Sequence, residues 1–214
     1  MSESTVASIG WSTHSDSAEA GRHAAHMAVE RMALHAPQLA IVFGSSWLDQ
    51  AALLRGVRSV LRQTPLIGGS TAGEITPEGP MDHSCVVMLI ASHALSWSVG
   101  YSRGADRNPR DTGQQAARMA MDGFRGSQRI GLLMFGDGLV TGCADVVRGI
   151  QEVLGTSSLI VGGLAGDDLR FQRTYQYCNQ YVVSGGVVGA ELRGAGKLGV
   201  GIQHCLAPIR NPTQ

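Results

Sequence analysis

Apolar positions along the chain follow two alternating rhythms. Ala24, Ala25, Ala28 and Met32 recur at the spacing of one helix face, and Ala116, Ala117 and Met121 repeat that stripe further on. A second helical stripe runs through Leu53, Leu54, Val57, Val60 and Leu61. It returns at Val146, Val147, Ile150, Val153 and Leu154. Between the stripes, short apolar runs at 39–43 and 130–135 predict strands that end in Gly, Ser or Asp turns. Each half then shows a short strand, a glycine loop and two β runs, at 84–91 and 95–101 in one and at 185–192 and 198–203 in the other. Strands alternating with helices predict an α/β fold, and the terminal β pairs predict a mixed sheet.

The recurrence extends to residue identities. Segment 21–30 (GRHAAHMAVE) precedes 113–122 (GQQAARMAMD) by 92 residues, and Ile41-Val-Phe-Gly44 meets Leu133-Met-Phe-Gly136 at the same offset. At an offset of 93, LLRGVRSVL (53–61) matches VVRGIQEVL (146–154), and LIGGSTAGE (66–74) is set against LIVGGLAGD (159–167). Val86-Val87 meets Val187-Val188 at 101, and Ile9-Gly10-Trp11-Ser12 echoes Val99-Gly100-Tyr101-Ser102. Six segments in register indicate an internal duplication. The expected organisation is one domain over 1–214, built from two βαβ-type repeats of about 5–104 and 105–208, each ending in a β pair.

Composition narrows the function classes. Seventeen basic and seventeen acidic residues give zero net charge over 214 residues, so no electrostatic footprint for nucleic acid exists. Mean hydropathy is +0.03, unlike a disordered chain. The longest apolar run, 85–91, is far below the ~18 residues of a membrane span, and the N-terminus has no signal-peptide pattern. Cys85, Cys143, Cys178 and Cys205 lie far apart and signal neither a disulfide framework nor a zinc site. A cytoplasmic protein without membrane insertion is expected.

Candidate chemistry concentrates in the glycine loops, Gly68-Gly69-Ser70-Thr71-Ala72-Gly73-Glu74 and Gly162-Gly163-Leu164-Ala165-Gly166-Asp167-Asp168. Glycine lets a backbone approach a ligand closely and present its N–H groups. Gly68, Gly69, Ser70, Thr71 and Gly73, with Gly163 and Gly166 opposite, would hold a carboxylate between the loops. Glu74 or Asp167 would receive an ammonium group. The second copy carries eight extra residues around 168–184, with Phe171, Tyr175, Tyr177 and Tyr181 all at odd positions. On an extended strand these share a face, and Tyr175 or Tyr177 would cover the ligand. The turns Gly44-Ser45-Ser46 and Gly136-Asp137-Gly138 are read as helix caps, from Ser45, Ser46 or Asp49 in the first and Asp137 or Thr141 in the second.

Catalytic signals are few. No P-loop or G-x-S-x-G elbow is present. His23 and His26 stand three apart on a helix, but Gln115 and Arg118 replace them in the second copy. Cys143 falls near a helix N-terminus without a readable histidine partner. The chain is therefore expected not to be an enzyme, with no catalytic residue, no metal and no cofactor.

Phe43-Gly44-Ser45, the segments G-G-S-T-A-G-E and G-G-L-A-G-D, and Val187-Val188-Gly189-Ala190, in that order, resemble the FIST N-terminal domain. The resemblance runs from about Gly21 to Pro208. It implies a cytoplasmic sensory domain that binds a small ligand such as an amino acid. The output would lie on a histidine kinase, a chemoreceptor or a cyclic-dinucleotide enzyme. The alternative it implies is a haem-bound nitric oxide sensor acting on a kinase. Such proteins usually continue into a C-terminal FIST domain, and a site shared with that domain would be incomplete within these 214 residues.

Overall fold

The computed structural model describes residues 5–33, 35–124 and 128–201. The first repeat runs β1 (Thr5–Ser12), α1 (Ser17–Met32), β2 (Leu39–Ser45), α2 (Gln50–Leu61), β3 (Leu66–Thr71), a hairpin of β4 (Glu74–Thr76) and β5 (Gly79–Met81), and β6 (Cys85–Ser92). The second runs β7 (Leu95–Arg103), α3 (Pro109–Asp122), β8 (Arg129–Asp137), α4 (Cys143–Leu154) and β9 (Ile160–Ala165). It closes with a hairpin of β10 (Gln176–Cys178) and β11 (Tyr181–Val183), and β12 (Gly186–Gly194). Strand orders β1-β6-β2-β3 and β7-β12-β8-β9 match, and each has two antiparallel pairings followed by a parallel one. The duplication is thus one of topology as well as sequence.

Alternation along the strands builds four layers, helices outside and two sheets inside. On β2, Ala40 and Val42 join α1 and α2 in one core, while Leu39, Ile41 and Phe43 face the other sheet. Both faces are buried, which is why β2 reads as an unbroken apolar run. Between the sheets Phe43 meets Phe135, its counterpart in the second repeat, edge to face at 5.2 Å. Ala116, Ala120, Leu132, Met134 and Ile150 form the second outer core.

Capping sets the helix starts. Asp16 accepts from Glu19 N at 2.9 Å, Asp49 from Ala52 N at 2.8 Å, and Asn108 precedes Pro109 at the head of α3. Of the cap candidates, Asp49 serves. Gly142 occupies the cap position of α4, and Asp137 instead accepts from Leu139 N and Gly185 N.

Several expectations change. Segment 95–101 opens the second repeat instead of closing the first, so the boundary near 104 moves to between Ser92 and Leu95. The physical sign is Gly100, where an added Cβ would lie 2.5 Å from Ala116 O, as one on Gly10 would lie 2.2 Å from Ala24 O. Residues 198–201 form no strand, and Ile202 and Gln203 of that expected run lie outside the described residues, as do His204 and Cys205. The glycine loops align at 94 residues, not 93. Gly68 and Gly162 both pass within 1.8 Å (virtual Cβ to carbonyl O) of the neighbouring strand, at Val42 and Met134. Glu74 therefore corresponds to Asp168. The four aromatics do not share a face. Positive φ at Asp168, Leu169 and Phe171 turns the chain, and the β10–β11 hairpin reverses it. Phe171 and Tyr181 are consequently exposed, and Tyr177 is buried.

Tyr177 anchors the crossover between repeats. The β10–β11 hairpin of the second repeat pairs with β3 of the first, and the Tyr177 hydroxyl donates to buried Gln50 Oε1 at the head of α2. Removing that hydroxyl leaves a buried acceptor unpaired, which costs about 1–3 kcal/mol. Tyr177→Phe is expected to lower stability by about 1–2 kcal/mol in urea unfolding, without altering secondary structure.

Candidate functional site

Parallel strands β2 and β3 end side by side, and α/β sheets place ligands beyond such strand ends. There a cavity of about 290 Å³ opens, lined by Phe43, Thr71, Gly73, Glu74, Ile75 and Val86. That is close to the lower limit of about 300 Å³ for ligand pockets and suits a molecule of amino-acid size. A wider depression of about 630 Å³ lies at the opposite strand ends, beside Pro37, Leu61, Thr64 and Trp97. Its only charged lining residue, Arg62, is exposed.

Glu74 gives the first cavity its character. It is 3% exposed, and its carboxylate accepts from the hydroxyls of Thr71 and Ser84. Burial raises its pKa above the usual carboxyl range. The hydroxyl bonds partly oppose this, and the Asp168 carboxylate adds to the rise. Among the described residues no Lys, Arg or His forms an ion pair with it. Asp168 Oδ2, for its part, accepts from Ser45 Oγ at 3.0 Å, Ser46 N at 2.8 Å and Ser46 Oγ at 2.6 Å. Two carboxylates and four hydroxyls thus gather at one end of the sheets.

The residues expected to bind a ligand divide into four groups. Thr71, Gly73 and Glu74 line the cavity. Gly68, Gly69 and Ser70 are buried in the β3 ladder. There Ser70 Oγ donates to Gly166 O at 2.6 Å and accepts from Tyr175 N at 2.9 Å. Gly166, Asp167, Tyr175 and Tyr177 serve the protein itself. Gly166 N donates to Ser70 O at 2.9 Å and Asp168 N to Thr71 O at 3.1 Å, so the two loops are in direct backbone contact. That contact leaves no space for a ligand between the loops. Gly163, on β9, is open to solvent and away from the cavity.

The Asp167 carboxylate is engaged by the backbone of its own loop. Burial raises its pKa, but backbone N–H groups of Gln172, Phe171, Arg173 and Arg170 outweigh that and hold the carboxyl below its usual range. Tyr175 and Tyr177 do not line the cavity. Ser84 and Asp168 went unseen as partners of the site. Aligning the glycines at an offset of 94 would have placed Asp168 opposite Glu74, whereas Ser84 carries no signal in the sequence.

Among the described residues no group of three His, Cys, Asp or Glu could hold a metal ion, and His14, His23, His26, His35, His83 and His93 are all exposed. Burial pushes the Cys178 thiol up to about 12 and that of Cys85 higher still. Neither they nor the described histidines line the cavity as haem ligands. No described helix is long and apolar enough to cross a membrane.

No curated protein matches the chain. Among solved structures it is similar to a cyanuric acid hydrolase from A. caulinodans, at 13% identity and a TM-score of 0.39, covering 92% of this chain and 69% of that one. A second cyanuric acid hydrolase structure, described as an evolutionary innovation by structural concatenation, is similar at 9% identity and a TM-score of 0.38. That likeness covers 89% of this chain and 68% of that one. The FIST N domain family matches residues 38–214, which include both glycine loops and the cavity. The chain belongs to the FIST N domain family, a family of sensory signal-transduction domains.

Proposed function

We propose that this domain is a non-catalytic sensor for a small metabolite bearing an ammonium group, such as an amino acid. One observation carries the reading: Glu74 is a buried carboxylate on a ligand-sized cavity, with hydroxyl partners and no basic one among the described residues. A buried charge without a counter-charge is costly, and a ligand cation relieves that cost on binding. The ammonium would bond Glu74, and the Gly73 backbone, at φ +116°, would face the ligand's carboxylate. Phe43 and Val86 would pack on its apolar part. Asp168, fixed by Ser45 and Ser46 of the β2–α2 turn, links the site to the second repeat and gives binding a route to a signalling output on another domain or protein.

Calorimetric titration with amino acids and with the corresponding 2-oxo acids, which lack the amine, tests this reading. Amino acids are expected to bind and oxo acids are not. Equal binding of both, or turnover of either, would overturn it.

A further inference from the structure

The two repeats differ most at the outer edges of β3 and β9. On β3, residues Ile67, Gly68 and Gly69 pair with Cys178, Tyr177 and Gln176 of the β10–β11 hairpin. Their counterparts Val161, Gly162 and Gly163 end a sheet that has no further strand among the described residues. Ser70 is 1% exposed, whereas its counterpart Leu164 is 50% exposed. Beside β9 lies an apolar hollow of about 210 Å³ lined by Met134, Cys143, Val147 and Leu164. Tyr177 fills the equivalent place in the first repeat, against Gln50, which heads α2 as Cys143 heads α4.

A hairpin of matching form is also present. The β4–β5 hairpin repeats the form of β10–β11, with three antiparallel pairs and a two-residue turn. Ile75 is its central residue, as Tyr177 is of β10, and Ile75 is 84% exposed. Within the chain β4 pairs with β5 alone. Pro80 on β5 cannot donate to a ladder, so β5 is suited to be the outermost strand of a larger sheet.

We propose that β9 docks the β4–β5 hairpin of a second copy of this chain. Thr76, Ile75 and Glu74 would pair with Val161, Gly162 and Gly163, and Ile75 would fill the hollow beside Cys143. The interaction within the chain that seats Tyr177 supplies the geometry, and strand addition to an exposed edge is an established mode of recognition. Donor and acceptor are different surfaces, so copies associate head to tail.

Sedimentation over a range of concentrations tests the proposal, with Ile75→Asp removing the donor and Leu164→Glu the acceptor. Both residues are exposed, so neither change touches a core. Association of the unaltered chain is expected to weaken about tenfold or more in each variant. The two variants mixed are expected to form a one-to-one complex, because each keeps the half that the other lacks. Cys143 should react with a maleimide more slowly in the associated chain than in Ile75→Asp. A chain that stays single at every concentration, association indifferent to either change, or a mixture that stays apart would each overturn the proposal. So would a Cys143 equally reactive in both.

Discussion

Replacing Glu74 with glutamine is expected to stabilise the ligand-free protein at neutral pH and to weaken an amine ligand by about ten- to a hundredfold. The two effects share one cause. The folded state raises the pKa of Glu74 above its ordinary value of 4.5, so between 4.5 and the raised value the folded protein holds more protons than the unfolded chain. Stability contributed by this group is present below 4.5 and is lost as pH rises through that window. Glutamine carries no charge and escapes the loss, while its carbonyl still accepts from Thr71 and the Ser84 hydroxyl can turn to accept from its amide. The stabilisation should therefore shrink as pH is lowered towards 4.5. For the ligand, a hydrogen bond between charged groups is worth about 1.5–3 kcal/mol, which sets the loss of affinity. Thermal unfolding at several pH values and calorimetry measure the two effects. A Glu74→Gln protein that melts lower and binds as before would mean that the carboxylate serves the fold.

Gly56→Ala is expected to destabilise by about 3 kcal/mol, and Gly149→Ala by the same amount, the upper end of the usual cost of overpacking. On an open helix the change would gain about 0.8–1 kcal/mol from helix propensity. Here a Cβ on Gly56 would lie 1.9 Å from Ala18 O of α1, and one on Gly149 lies 1.9 Å from Arg110 O of α3. Gly21 and Gly113 complete the crossings, with added Cβ atoms 2.3 Å from Leu53 O and 2.2 Å from Val146 O. The obstacles are backbone atoms, so the helices must move apart and lose packing on both sides of the contact. At roughly 2–4 °C per kcal/mol for a chain of this size, a fall of about 6–12 °C in Tm follows. A neutral or stabilising result for either variant would show that the crossing tolerates separation.

Those glycines also show why the fold was legible in the sequence. Gly21, Gly56, Gly113 and Gly149 lie inside helical stripes, where a residue that weakens a helix persists because two backbones touch. The duplication, the four helices and the mixed pairing followed from such local patterns. The crossover did not. Pairing of β10 with β3 joins residues more than a hundred positions apart, and nothing in the Gln176–Cys178 segment names its partner. The site was legible by half. Glu74 stood out as the acid closing a glycine loop, and Asp167 looked like its equivalent because an offset of 93 fits the letters. Backbone geometry instead places Asp168 opposite Glu74 and turns Asp167 into the cap of its own loop. The unmatched hairpin Glu74–Thr76 and Gly79–Met81 was not legible at all, since a three-residue strand carries too little pattern.

The central claim is that Glu74 receives the cation of a ligand, and proton release on binding tests it most directly. An ammonium group beside Glu74 lowers its raised pKa, so binding to a partly protonated carboxyl must expel a proton. Titrating an amino acid that binds, in buffers of different ionisation enthalpy and at pH values just above 4.5, is expected to show that proton leaving. Affinity should fall as pH drops through the same range, and Glu74→Gln should show neither effect. Binding with no proton released, at an affinity indifferent to pH and unchanged in Glu74→Gln, would contradict the claim.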